Sequence, residues 1–154
     1  MYKAIDIANW FLCNIDRESG ESITHLKLQK LLYYAQAWYM VLSKTGEPLF
    51  GDEIQAWTHG PVVSSIYKTF AQHGFDSIPI PLDCESLDSE TEHILNEVLR
   101  VYGKFDAKYL ELLTHQEEPW IKTRNGISIE VRCDQPISLS LIKQYYQEMY
   151  ESNA

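Results

Sequence analysis

The chain has 154 residues, a common length for one domain, and 45% of them are hydrophobic, which suffices for a core without covalent links. Its 13 basic and 22 acidic residues give a net charge of −9, and the basic residues form no run, which disfavours nucleic acid as a partner and favours a basic protein. No apolar stretch approaches the ~18 residues of a membrane span, and the N-terminus meets a charge too early for a secretory signal.

The first part of the chain predicts two helices separated by a polar loop over residues 16–21. Apolar residues at helical spacing indicate the first helix, over residues 4–15. Thr24 is a suitable N-cap for the second, which runs to about Ser43 because a glycine and a proline then follow. Its apolar spacing predicts a buried side made of Leu28, Leu31, Leu32, Ala35 and Leu42.

The next part mixes extended and helical patterns. Residues 53–59 alternate weakly, which suits a short strand or an extended loop. Pro61 fits the first position of a short third helix that ends at Gly74, since the N–H that proline lacks would have no partner there. Prolines within residues 75–87 exclude both a helix and a central strand, so an extended connector is expected.

Gly103 separates a fourth helix from a fifth. Ser89 and Glu92 form a capping box, which predicts the start of the fourth helix. Asp106 is a suitable N-cap for the fifth helix.

The last part of the chain predicts a strand and then a helix. Residues 127–133 alternate with a clean period of two and indicate a half-buried strand. Ser138 caps the last helix, and residues 152–154 are expected to fray. The predicted fold class is mainly α: a single compact domain over residues 1–151, with about six helices and one or two short strands or extended segments.

No motif for a metal, a cofactor or catalysis is present in the sequence. The five histidines include no pair at i+3 or i+4 and no HExxH, and no glycine-rich phosphate loop occurs. His115 and Glu118 could form an acid–base pair for a small hydrolase. We favour a structural role for both, because they precede Pro119 at a helix end, where polar side chains satisfy backbone groups.

The cysteines are Cys13, Cys84 and Cys133. Their odd number, wide spacing and lack of a CxxC pair predict neither a disulfide framework nor a zinc site. This pattern fits a reducing compartment, and we predict a cytoplasmic protein.

A tryptophan, a histidine and a Gly-Pro pair share a non-helical turn over residues 57–63. The turn could present the indole to a partner, or Trp57 and Val63 could anchor it in the core, and the sequence leaves both readings open. As a binding surface it would comprise Trp57, His59, Gly60, Pro61 and Tyr67, with Asp52 and Glu53 as a polar rim facing a basic partner.

Four blocks resemble the Panacea domain family, the SocA-like antitoxins often described as phage-associated proteins. The first is LKLQKLLYYAQAW at residues 26–38, and the second is PLFGDE at 48–53 followed by AWTHGPVV at 56–63. The third is LTHQEEPW at residues 113–120. The fourth consists of Ile137 and Ser138 with Ile142, Tyr145 and Tyr146.

This resemblance implies a helical antitoxin that neutralises a co-encoded toxin by direct contact and has no enzymatic activity. An adaptor from a phage or mobile element, binding a host protein without a toxin, is the alternative. Homo-oligomerisation stays open. Within the blocks, the positions expected to be structural are Leu28, Gln29, Lys30, Leu32, Tyr33, Thr114, His115, Glu118, Pro119 and Trp120.

Overall fold

A computed structural model describes residues 1–17 and 23–153 and places one long helix, His25–Leu42, among the other elements. Within those ranges it has seven α-helices and one two-stranded sheet, which confirms the mainly α fold class. None of these helices has the length and apolarity needed to cross a membrane. Most of the loop predicted over residues 16–21 lies outside the described residues. In chain order the elements are α1 Ala4–Asn14, α2 His25–Leu42, β1 Ile54–Trp57, β2 Gly60–Val63, α3 Ser64–Phe70 with a 3₁₀ turn Ala71–His73, α4 Ser89–Tyr102, α5 Ala107–Thr114, α6 Glu118–Arg124 and α7 Leu139–Ser152.

Helix α2 is the centre of the core and contacts α1, α4, α5, α7 and the β-hairpin. The predicted N-cap is confirmed, since the side chain of Thr24 accepts a hydrogen bond from the backbone N–H of Lys27 at 3.2 Å. Four of the five residues predicted to be buried are fully buried, but Leu42 is 38% exposed. Leu42 is the last residue of the helix and lies in a groove beside Trp38 and Val101, where no further layer covers it among the described residues.

Two buried glutamines on α2 form hydrogen bonds with backbone groups near the hairpin that no neighbouring strand pairs. The Gln29 amide accepts from the N–H of Val63 at 2.7 Å and donates to the carbonyl of the same residue at 3.2 Å. Seven residues later, Gln36 accepts from the N–H of Leu49 at 2.7 Å and donates to the carbonyl of Phe50 at 2.7 Å. Buried backbone groups must be paired, so these amides fix the chain on both sides of the hairpin to the central helix.

Residues 54–63 form an antiparallel hairpin, with a register from Ile54↔Val63 to Trp57↔Gly60. The prediction that Pro61 begins the third helix is wrong, because Pro61 lies in β2 opposite Ala56 and α3 begins at Ser64. One local and one long-range feature explain this difference. Gly60 has a φ of +105°, which closes a two-residue turn, and α2 supplies the hydrogen bonds that hold the end of β2 extended.

The strand predicted over residues 127–133 is also wrong. The segment turns instead, with the N–H of Val131 donating to the carbonyl of Ser128 at 2.9 Å; Ile127, Ile129 and Val131 are exposed, and only Cys133 of the alternating apolar residues is buried. No strand in the described part of the chain pairs with it. The carbonyls face the buried guanidinium of Arg124 at the end of α6, a short helix that the sequence pattern did not reveal.

The predicted helix starts hold for α5 and α7, where Asp106 and Ser138 accept hydrogen bonds from the first turn. For α4 the cap is Asp88 and not Ser89, since the Asp88 carboxylate accepts from the N–H of Thr91 at 2.9 Å. Glu92 instead accepts hydrogen bonds from the N–H of Leu87 and from the indole of Trp10, which is in α1.

A disulfide joins Cys13, at the end of α1, to Cys84, and this overturns the prediction that the cysteines form no bridge. Sequence spacing did not reveal the pair because the bonded residues are 71 positions apart. They meet because the connector over residues 75–87, which has no helix or strand, returns alongside α1 and is held there by a bond from Arg17 to the carbonyl of Ile78 at 2.6 Å. The cysteine pattern therefore gives no support for a reducing compartment.

Candidate protein-binding site

Two apolar grooves adjoin each other at the turn of the β-hairpin. We call them the hairpin groove, of about 250 Å³, and the α5 groove, of about 300 Å³. They share Leu26, His59 and Phe75. The hairpin groove is further lined by His25, Trp57, Val62, Tyr67, Ala71 and Gly74, and the α5 groove by Lys30, Ala107, Lys108 and Glu111.

Trp57 forms a half-buried wall of the hairpin groove. Its indole N–H donates to the side-chain oxygen of Gln55 at 2.7 Å, and its carbonyl accepts from the indole of Trp120 at 2.7 Å. Its ring contacts that of Tyr67, with centroids 4.9 Å apart. Trp57 is thus held in place from the core side, and Val63 anchors the same hairpin in the core with no exposed surface.

His59 is exposed and contributes to the lining of both grooves. Its Nδ1 is 2.5 Å from Oε1 of Glu111, and the ammonium of Lys108 is 2.8 Å from the other oxygen of that carboxylate. Burial acts to raise the pKa of Glu111, but the hydrogen bonds from Lys108 and His59 outweigh it and lower the pKa below its ordinary value. Glu111 is therefore ionised at neutral pH and fixes the orientation of the imidazole.

Gly60 and Pro61 follow the hairpin turn and are buried. The Lys30 ammonium donates to the carbonyl of Pro61 at 3.2 Å, and a Cβ on Gly60 would lie 2.8 Å from both Cε of Lys30 and Oγ1 of Thr114. Only glycine fits this contact at a positive φ. Burial lowers the pKa of Lys30 to about 7, against the attraction of Glu111.

The acidic pair lies outside the lining of both grooves. The Asp52 carboxylate accepts from the backbone N–H of Ala4 at 3.0 Å and from the hydroxyl of Ser65 at 2.7 Å, so it ties the start of α1 to the start of α3. Glu53 is exposed and accepts from the amide of Gln55 at 2.7 Å. The structure therefore brings together the aromatic members of the predicted surface but not its acidic members.

The third sequence block holds the hairpin turn. Nε2 of His115 donates to the carbonyl of Thr58 at 2.9 Å, and the imidazole stacks on Trp120 with centroids 4.1 Å apart. Pro119 is buried in the first turn of α6. Glu118 is exposed and pairs with Lys122 at 3.2 Å, so the contacts of His115 and of Glu118 lie in different places.

Glu117, which the sequence reasoning passed over, is the buried carboxylate of this block. Its Oε1 accepts from the hydroxyls of Tyr34 and Tyr146, both at 2.9 Å, so it joins α2 and α7 at the start of α6. Tyr33 is also buried there, 3.3 Å from Tyr146 between their hydroxyls. Burial raises the pKa of Glu117 to about 7, although both tyrosine hydrogen bonds act to lower it. The tyrosines of the first and fourth blocks were the available signal, because buried hydroxyls need an acceptor.

Glu117→Gln is expected to remove a pH dependence of stability. The folded pKa of about 7 lies above the ordinary value of 4.5, so the folded state keeps a proton that the unfolded chain releases. This contribution is fully present below pH 4.5 and is lost as the pH rises through 7; it amounts to about 3 kcal/mol in total. Urea unfolding at pH 5 and pH 8 measures it. The wild type should lose about 2 kcal/mol more than the variant between these two values, and equal losses would contradict the assignment.

These grooves belong to a mainly helical fold, and the range that matches a known family includes most of the sequence blocks but not the fourth. A sequence model described as "Antitoxin SocA-like, Panacea domain" matches residues 28–121, which include most of α2, the hairpin and the third block. The chain belongs to this family of SocA-like antitoxins.

A curated relative extends the comparison. The chain is 31% identical over 117 residues to "Antitoxin SocA" from Caulobacter vibrioides, strain NA1000 / CB15N. The aligned region covers 68% of this chain and 61% of that relative, so the chain spans less than two thirds of the relative's length. No solved structure matches the chain.

Proposed function

We propose that the protein is an antitoxin that neutralises a co-encoded toxin by binding it directly, without catalysing a reaction, and that residues 1–151 act as one binding domain. Membership of the SocA-like family supports the antitoxin role. The observation that carries the proposed surface is the meeting of two apolar grooves at His59, next to Trp57 and Tyr67.

The aromatic side chains of this surface have the properties of interface anchors. Phe75 is 87% exposed and Tyr67 is 38% exposed, whereas Trp57 is fixed through its indole and its carbonyl. A side chain that is already held rigidly loses little entropy on binding. An aromatic residue near the centre of an interface can contribute ~2 kcal/mol or more to affinity.

Charge should act on the rate of encounter more than on the lifetime of the complex. The net charge of −9 attracts a basic toxin over distance, and we propose that the partner is basic. The α5 groove itself is lined by Lys30, Lys108 and Glu111, of which Lys108 and Glu111 already pair with each other. Added salt is therefore expected to slow association and to leave dissociation nearly unchanged.

Alanine variants of the grooves test the proposal in cells that express the toxin from the neighbouring gene. Trp57→Ala, His59→Ala and Tyr67→Ala are each expected to lose rescue while circular dichroism shows an intact fold. A loss of ~2 kcal/mol per anchor weakens binding about thirtyfold. Tyr150→Ala is the matched control, because Tyr150 is an exposed aromatic residue in a separate groove between α2, α4 and α7.

Three results would decide against parts of this proposal. Full rescue by all three folded variants excludes the surface around His59. Unfolding of Trp57→Ala alone assigns that residue to the core and leaves the other two variants to test the grooves. A neighbouring gene product that is not toxic excludes the antitoxin role and favours the adaptor that binds a host protein.

A further inference from the structure

His25, the first residue of α2, is a buried imidazole without a hydrogen bond. It is 4% exposed, and neither ring nitrogen has a partner among the described residues. Its ring packs against that of Tyr67, with centroids 4.8 Å apart, and it lines the hairpin groove. A buried polar group without a hydrogen bond is unfavourable, so such a group in a groove wall points to a partner that arrives with a ligand.

The groove has room for a single side chain. Its volume of about 250 Å³ is below the roughly 300–1,000 Å³ of sites that bury drug-sized ligands. Its walls include Trp57, Tyr67 and Phe75, which offer ring surface and no charge. An aromatic side chain would match these walls, because rings pack favourably edge to face and in offset stacks.

The polar atom of that side chain has to be neutral. Burial lowers the pKa of His25, and the nearby charges of Lys30 and His73 lower it further, so the ring is uncharged at neutral pH. A neutral imidazole offers one N–H donor and one acceptor nitrogen. It can pair with a hydroxyl or an indole N–H, but it cannot balance the charge of a buried carboxylate or ammonium group.

We propose that the hairpin groove receives one tyrosine or tryptophan side chain of the partner protein, and that the His25 ring, whose nitrogens have almost no accessible surface, turns towards the groove so that the incoming O–H or N–H forms a hydrogen bond with it. The inference rests on the proposed function, since the groove is part of the proposed toxin-binding surface. It adds the chemistry of the residue that the partner inserts.

Side-chain analogues test the groove without any toxin. p-Cresol, 3-methylindole, toluene and p-toluate are titrated into the ¹⁵N-labelled full chain, and NMR follows the ring nitrogens of His25 and the indole of Trp57. We expect saturable shifts with p-cresol and 3-methylindole, and affinity for toluene about three- to tenfold weaker because it makes no hydrogen bond. p-Toluate, which carries the charge, should not saturate these signals.

His25→Leu should remove the preference for p-cresol over toluene, and Tyr150→Ala should leave it unchanged. If His25→Leu does not fold, the comparison of the four analogues on the wild type still decides. Equal affinity for p-cresol and toluene, tightest binding of p-toluate, or no shift at His25 would each overturn the inference. If the analogues bind but the wild-type chain does not rescue cells from the toxin, only the proposed function is contradicted. If the chain rescues the cells but the analogues do not bind, only this inference is contradicted.

Discussion

Arg124→Ala is expected to lower the free energy of unfolding by about 4 kcal/mol, because one buried guanidinium binds three backbone carbonyls. Arg124 is 2% exposed at the end of α6. Its Nη1 donates to the carbonyl of Ala56 in β1 at 2.9 Å, and its Nη2 donates to the carbonyls of Ser128 and Val131 at 2.8 and 2.7 Å. The substitution leaves these three acceptors without their donor, in a place where the turn after α6 meets the hairpin.

The guanidinium also lies 5.1 Å from the ring centroid of Trp120, so alanine removes a packing contact as well. Urea unfolding followed by circular dichroism measures the change. Arg100→Ala is the matched control, because Arg100 is an exposed arginine in an ion pair with Glu97, and it should cost less than about 1 kcal/mol. A loss below about 1.5 kcal/mol for Arg124→Ala would mean that water replaces the guanidinium at the three carbonyls.

Helix α2 could be predicted from the sequence because its signals are local. Apolar residues repeat at helical spacing and Thr24 provides the cap, so the start, the end and most of the buried side are confirmed. The same spacing does not show whether both ends of the helix are covered by neighbouring elements. Leu42 has the right periodicity but lies where the neighbouring elements leave a groove, and only the packing of α4 and α7 decides this.

Residues 127–133 and Pro61 are two places where local sequence patterns do not predict the backbone conformation. Alternation indicates a strand only if another strand lies alongside, and here Arg124 takes up the carbonyls of the segment instead. Pro61 fits a helix start, but Gln29 holds the neighbouring Val63 in an extended conformation. In both cases a buried polar side chain on a helix, Arg124 on α6 or Gln29 on α2, determines the conformation of the backbone that it binds.

The candidate site was predictable in part for the same reason. Trp57, His59 and Tyr67 are close in the chain, and the structure places all three around one groove. Phe75 completes that groove from the connector, and Glu111 reaches His59 from α5 across 52 positions of sequence. No spacing in the sequence indicates contacts of this range, so the second groove could not be anticipated.

Leu32→Ala is expected to lower the free energy of unfolding by about 2–5 kcal/mol through lost apolar transfer and a residual cavity. Leu32 has no exposed surface and lies in the middle of α2, which contacts α1, α4, α5, α7 and β2, so the surroundings can relax little into the space. Leu42→Ala on the same helix is the matched control. Its 38% exposure means that little new cavity forms, and the cost should stay below about 1.5 kcal/mol. Urea unfolding of the two variants measures the difference, and a loss under 1 kcal/mol for Leu32→Ala would contradict the central position of α2 in the core.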